Sequence, residues 1–82
     1  MVLVDVYIPS VDEIFDFMLD ENIEVEKIIL EIFEIITKKM QIGSDQDIDN
    51  FMLYHMDLGR ALEKGRTLAS SGVKNGSRLM LI

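Results

Sequence analysis

One stretch of this chain has a helical period. Val25, Ile28, Ile29, Ile32, Phe33, Ile36 and Met40 recur at three- and four-residue steps, while Lys27, Glu31, Glu34 and Lys38 gather on the opposite side. The spacing predicts an amphipathic helix of about four turns. Asn22 is the expected N-cap, Glu24 and Glu26 suit the positive end of the helix dipole, and Lys38-Lys39 suits the negative end. The capping box is incomplete, because Val25 stands where a Glu or Gln would close it, and Gly43 is the expected terminator. A lone helix buries its apolar stripe against a sheet and covers only one of that sheet's faces. The rest of the chain must supply the sheet.

It reads as strands with period two. In Val2-Leu3-Val4-Asp5-Val6-Tyr7-Ile8 the need to solvate Asp5 turns Val4, Val6 and Ile8 inward and Leu3 and Tyr7 outward. Pro9-Ser10 ends this run, and residues 13–19 make a second strand with Phe15, Phe17 and Leu19 inward and Asp16 outward. The short gap between them fits a hairpin, and Asp12, Glu13 and Asp16 would discourage pairing at a sheet edge. After a polar, acidic connection at residues 44–50, residues 51–56 alternate as a third strand, with Phe51, Leu53 and His55 inward. Asp57-Leu58-Gly59 is a turn, and Arg60-Ala61-Leu62 leaves room for only a very short fourth strand. Leu68 and Val73 anchor an irregular segment, and Asn75-Gly76 turns the chain into a last strand with Leu79 and Leu81 inward. The order strand–strand–helix–strand–short strand–strand, with a right-handed crossover after the helix, predicts an α+β β-grasp. It would have a mixed sheet of four to five strands with one helix on one face, in a single domain over residues 1–82.

Composition narrows the function classes. A chain of 82 residues, 49% apolar and 28% charged, folds around one core and is not disordered. With no cysteine there is no disulfide framework and no thiolate chemistry. The longest uncharged runs, such as residues 67–73, are seven residues, against about 20 for a membrane span. Direct membrane insertion is therefore not expected. The first basic residue is Lys27, so a signal-peptide n-region is lacking and a cytoplasmic address is expected. The net charge of −7 is uneven: residues 1–50 hold thirteen acids and three bases, residues 51–82 two acids and five bases. Such an acidic half argues against nucleic acid as a main partner.

Several stretches carry a family resemblance. Leu62-Glu63-Lys64-Gly65-Arg66-Thr67-Leu68 is similar to the segment that in ubiquitin runs from the short fourth strand into the next turn. Phe15-Asp16-Phe17-Met18-Leu19 leading into Val25-Glu26-Lys27-Ile28-Ile29, and Ser71-Gly72-Val73-Lys74-Asn75-Gly76-Ser77-Arg78-Leu79, resemble the bacterial YukD-like branch of the ubiquitin superfamily. The resemblance covers essentially the whole chain. It implies a ubiquitin-like β-grasp, no catalytic residues, and a role in type VII (ESX/WXG100) secretion in Gram-positive bacteria, as a small cytoplasmic accessory protein or as a domain of membrane components. The implied partner is a protein, such as a membrane component or ATPase of that machine. One departure from ubiquitin bears on the alternative function of a modifier or carrier used by an adenylating enzyme. The last strand runs to Ile82 with no Gly-Gly tail, which disfavours that chemistry.

Candidate sites are few. Asp45-Gln46-Asp47-Ile48-Asp49 opens like a calcium loop, but Asn50 replaces the turn glycine and Met56 the bidentate glutamate, so a solvated acidic loop is expected. His55 is the only histidine, and with no cysteine beside it no metal or cofactor site is expected. The outward faces of the third and fifth strands are more telling. Met52, Tyr54, Met56, Met80 and Ile82 would form one apolar patch away from the helix, with Arg78 and Arg60 at its rim. The resemblance implies that this face meets a protein partner. A homo-oligomer through the same face is the competing occupant.

Overall fold

The computed structural model describes residues 1–40 and 50–82. The expectations for Gly43 and for the run Asp45 to Asp49 lie outside the described residues. The strands β1 (Val2–Ile8) and β2 (Glu13–Leu19) form a hairpin, followed by the helix α1 (Val25–Met40). Then come β3 (Leu53–His55), β4 (Arg60–Ala61), a 3-10 turn at Ala69–Ser71, and β5 (Arg78–Leu81). The sheet order is β2-β1-β5-β3-β4. β1 and β5 run parallel at its centre, and every other pairing is antiparallel.

Alternation orients the strands as the sequence requires. Val4, Val6, Ile8, Phe17, Leu19, Leu53, Leu79 and Leu81 are buried beneath α1, which contributes Val25, Ile28, Ile29, Ile32 and Ile36. Leu62, Leu68 and Val73 complete the cluster from the connections. Phe15, Phe33, Met40 and Phe51 are half-buried at its margin, with the Phe33 and Phe51 rings 5.5 Å apart. The third strand is shorter than the six residues of the alternating run. Its outer neighbour, β4, has only two residues, and the antiparallel contact with β5 continues past the strand end through reciprocal Met52–Ile82 bonds of 2.7 and 3.0 Å.

The start of the helix departs from the expected cap. The Asn22 N–H donates to Asp20 Oδ1 (2.9 Å), and α1 begins three residues later. Glu24 accepts the first intrahelical bonds, from Lys27 and Ile28. The orphan N–H groups of Val25 and Glu26 donate to the carbonyls of Arg66 (2.8 Å) and Lys64 (3.1 Å). Backbone from the connection after β4 thus does the work a capping side chain would do.

Two turns require left-handed backbone. Gly76 has φ +85° and its N–H reaches Leu3 O at 2.8 Å, while Asn75 Oδ1 accepts the Leu3 N–H at 2.9 Å. Together, just before β5 begins, the Asn-Gly pair satisfies both backbone groups of a β1 residue. Gly59 (φ +69°) closes the β3–β4 turn by donating to His55 O at 2.8 Å.

Candidate functional site

The helix covers one side of the sheet, and the side away from it is a surface built by register. Tyr7 pairs with Ile14 on β2 and with Met80 on β5, Met80 pairs with Tyr54, and Tyr54 pairs with Ala61. Cross-strand partners share a face, so Ile14, Tyr7, Met80, Tyr54 and Ala61 form one row spanning all five strands. The neighbouring row is polar: Asp16 pairs with Asp5 and Asp5 with Arg78, beside Met56, whose N–H donates to Arg78 O at 2.9 Å. On the other flank lie Met52 and Ile82.

Five of the residues singled out for the patch are therefore brought together: Met52, Tyr54, Met56, Met80 and Ile82. Met52, Met56 and Ile82 are exposed, and Tyr54 and Met80 are half-buried among their neighbours. Arg78 lies at the rim as expected. Arg60 does not. It pairs with His55, whose side chain is buried on the helix side, so Arg60 leaves the sheet on that side. There it borders a cleft with Glu63, Arg66, Ser70 and Ser71. Its neighbour Ala61 takes the outer face instead.

The patch is wider than the third and fifth strands. Leu3, Tyr7, Ile14 and Met18 extend it across β1 and β2, and all but Tyr7 are exposed. The alternation that turned Val4 and Phe17 inward already turns these four outward. What was missing was the parallel β1–β5 pairing that joins them to Met80. A shallow groove of about 280 Å³ runs between Tyr7, Ile14 and Met56, with Asp5 and Arg78 along it.

The electrostatics of this face are set by four aspartates and one arginine. Arg78 donates to Asp57 Oδ1 from Nη2 (2.6 Å) and Nε (3.2 Å), and its backbone N–H reaches Asp57 Oδ2 (3.3 Å). These bonds hold the Asp57 carboxyl below its ordinary range and the Arg78 guanidinium above its own. Asp5 is moved the other way, upward, chiefly by a hydrogen bond shared with Asp16 and then by desolvation. The Tyr7 hydroxyl donates to Asp12 Oδ1 at 3.0 Å, which raises the phenol.

His55 is 3% exposed. Its Nδ1 accepts the Leu58 N–H at 3.3 Å, and Nε2 has no hydrogen-bond partner among the described residues. This is a histidine packed in the core beneath β3. Among the described residues, no group of three or more His, Asp or Glu is placed to hold a metal ion, and no helix is long and apolar enough to cross a membrane.

No protein of curated function matches the chain. Solved structures do. The ubiquitin-like domain of the Arabidopsis thaliana protein At2g32350 superposes with a TM-score of 0.73 at 21% identity, over 99% of this chain and 74% of that one. Caldiarchaeum subterraneum ubiquitin superposes with a TM-score of 0.70 at 20% identity, over 99% of this chain and 90% of that one. Identities this low carry the fold, which is ubiquitin-like. The family follows from the sequence itself: residues 3–81 match the model described as WXG100 protein secretion system (Wss), protein YukD, and the chain belongs to the YukD family.

Proposed function

We propose that the protein is a non-enzymatic ubiquitin-like interaction module of a type VII secretion system, acting in the cytoplasm of a Gram-positive bacterium as a single domain. It docks on a protein component of that system, a membrane subunit or an ATPase, through the outer face of its sheet. The observation that carries this reading is the row Ile14–Tyr7–Met80–Tyr54, which lines apolar side chains across strands on the side the helix leaves uncovered. Methionine and tyrosine gathered on one exposed face suit a partner surface, because they bury large area and adapt their shape. Family membership supports the secretion assignment.

The test is affinity capture from host extract, with mass-spectrometric identification of what is retained. The wild-type chain is expected to retain a secretion ATPase or membrane component. The Tyr54→Ala/Met80→Asp double variant is expected to lose it while keeping its circular dichroism and amide spectrum. Undiminished capture by the folded double variant would remove this face from consideration. Recovery of an adenylating enzyme in place of a secretion component would overturn the functional class.

A further inference from the structure

A strand residue points its N–H and C=O to the same side. Asp5 N–H donates across to Ser77 O (3.1 Å), and both backbone groups of Leu3 are taken by Asn75 and Gly76, so the odd residues of β1 face β5. The even residues face β2, and the register then commits Phe15, Phe17 and Leu19 to β1. The backbone groups of Ile14, Asp16 and Met18 are left on the open edge of the sheet, with no hydrogen-bond partner among the described residues. The opposite edge, β4, has two residues and is too short to template a strand.

The side chains along the open edge say what it accepts. Ile14 is 64% exposed and Met18 55%, and Asp16 stands between them. Asp5 and Asp16 face each other as a pair whose main chains do not bond to one another, the arrangement that brings cross-strand side chains closest, and like charges there are unfavourable. Arg78, opposite Asp5 on β5, acts on it only through space because its guanidinium is bound to Asp57, and none of the ion pairs among the described residues reaches Asp5 or Asp16. A second copy paired antiparallel about Asp16 would set Asp16 against Asp16 and Asp12 against Asp20, on a molecule of net charge −7. A strand with a central cation would instead relieve the pair.

We propose that the edge of β2 takes an extended segment of a partner protein as a sixth strand, with an apolar–x–basic–x–apolar pattern. Its basic side chain lies over Asp16 and Asp5, and its apolar side chains lie against Ile14 and Met18. Main-chain bonds to Ile14, Asp16 and Met18 give the affinity, and the alternate side chains give the selectivity. The site shares Ile14 with the outer-face row but uses neither Met80 nor Tyr54, so the Tyr54→Ala/Met80→Asp variant leaves it in place.

The experiment is an amide titration of the isotope-labelled protein with the blocked peptide Thr-Ile-Thr-Lys-Thr-Ile-Thr, and with the same peptide carrying Glu for Lys. The lysine peptide is expected to shift the Ile14, Asp16 and Met18 amides and slow their exchange with water, leaving exchange at Phe15 and Phe17 unchanged. The glutamate peptide is expected to bind about fivefold or more weakly. Asp16→Lys, a change at an exposed position, is expected to reverse the order of the two peptides. Shifts confined to the β3–β5 face, equal binding of both peptides, or no response at millimolar peptide would overturn the proposal. So would the same protection appearing on raising protein concentration alone, which would make a second copy the occupant.

Discussion

Asp57 and Asp5 lie on one face of the sheet, on either side of Arg78, and their neighbours hold them in opposite directions. Asp57 is lowered by the hydrogen bonds from the Arg78 side chain and backbone. Such a carboxylate stabilises the fold above the unfolded-state value, about 3.9, and the contribution is lost as pH falls through the folded value. Asp5 is raised by its hydrogen bond with Asp16 and by desolvation. Its contribution has the reverse sign: present below the unfolded value and lost as pH rises through the folded one. Two outcomes in urea denaturation across pH follow. Asp57→Asn lowers the midpoint at pH 7, and the deficit shrinks on acidification through the carboxylate range. Asp5→Asn raises the midpoint at pH 7, and that gain shrinks over the same range. The sequence made Asp5 and Asp16 outward-facing through alternation, but not their meeting, which depends on how many residues the β1–β2 turn holds. Here it holds four, with Asp12 in the left-handed region (φ +52°). Arg60 was misplaced for a related reason: a strand of two residues has no alternation to read.

At the scale of elements, the connection between β4 and β5 is structural rather than a spacer. Thr67 and Ser70 exchange backbone-to-side-chain bonds of 3.2 and 3.1 Å, which fixes the 3-10 turn. Leu68, fully buried, accepts the N–H groups of Ser71 and Val73 through its carbonyl. Just upstream, Lys64 and Arg66 supply the acceptors for the first turn of α1. Leu68→Ala is expected to destabilise the protein by about 2–5 kcal/mol, as deletion from a strand would. Ile35→Ala, on the exposed side of the helix, should cost less than about 1 kcal/mol. Urea midpoints of the two variants check the contrast. Leu68 was legible as an anchor because an apolar residue in an irregular stretch needs somewhere to go. The helix entry was not, because its acceptors come from about forty residues away while cap rules look only at adjacent side chains.

Over the whole molecule, one helical stretch among alternating runs was enough to fix the class and the inner face. The outer face was only half legible: each strand's outward set could be written down, but their union required the strand order. That order has a mechanical consequence. β1 and β5 lie side by side and parallel, so a pull on Met1 and Ile82 drags them past each other along their length. All the bonds between them then carry load together. A pull on Val2 and Leu19 instead opens the antiparallel β1–β2 hairpin from its free end, one bond at a time. Single-molecule stretching should give a distinctly higher rupture force for the first attachment than for the second, and equal forces would contradict this geometry. A domain of this shape resists a pull on Met1 and Ile82 more than a pull that peels an edge strand away pair by pair.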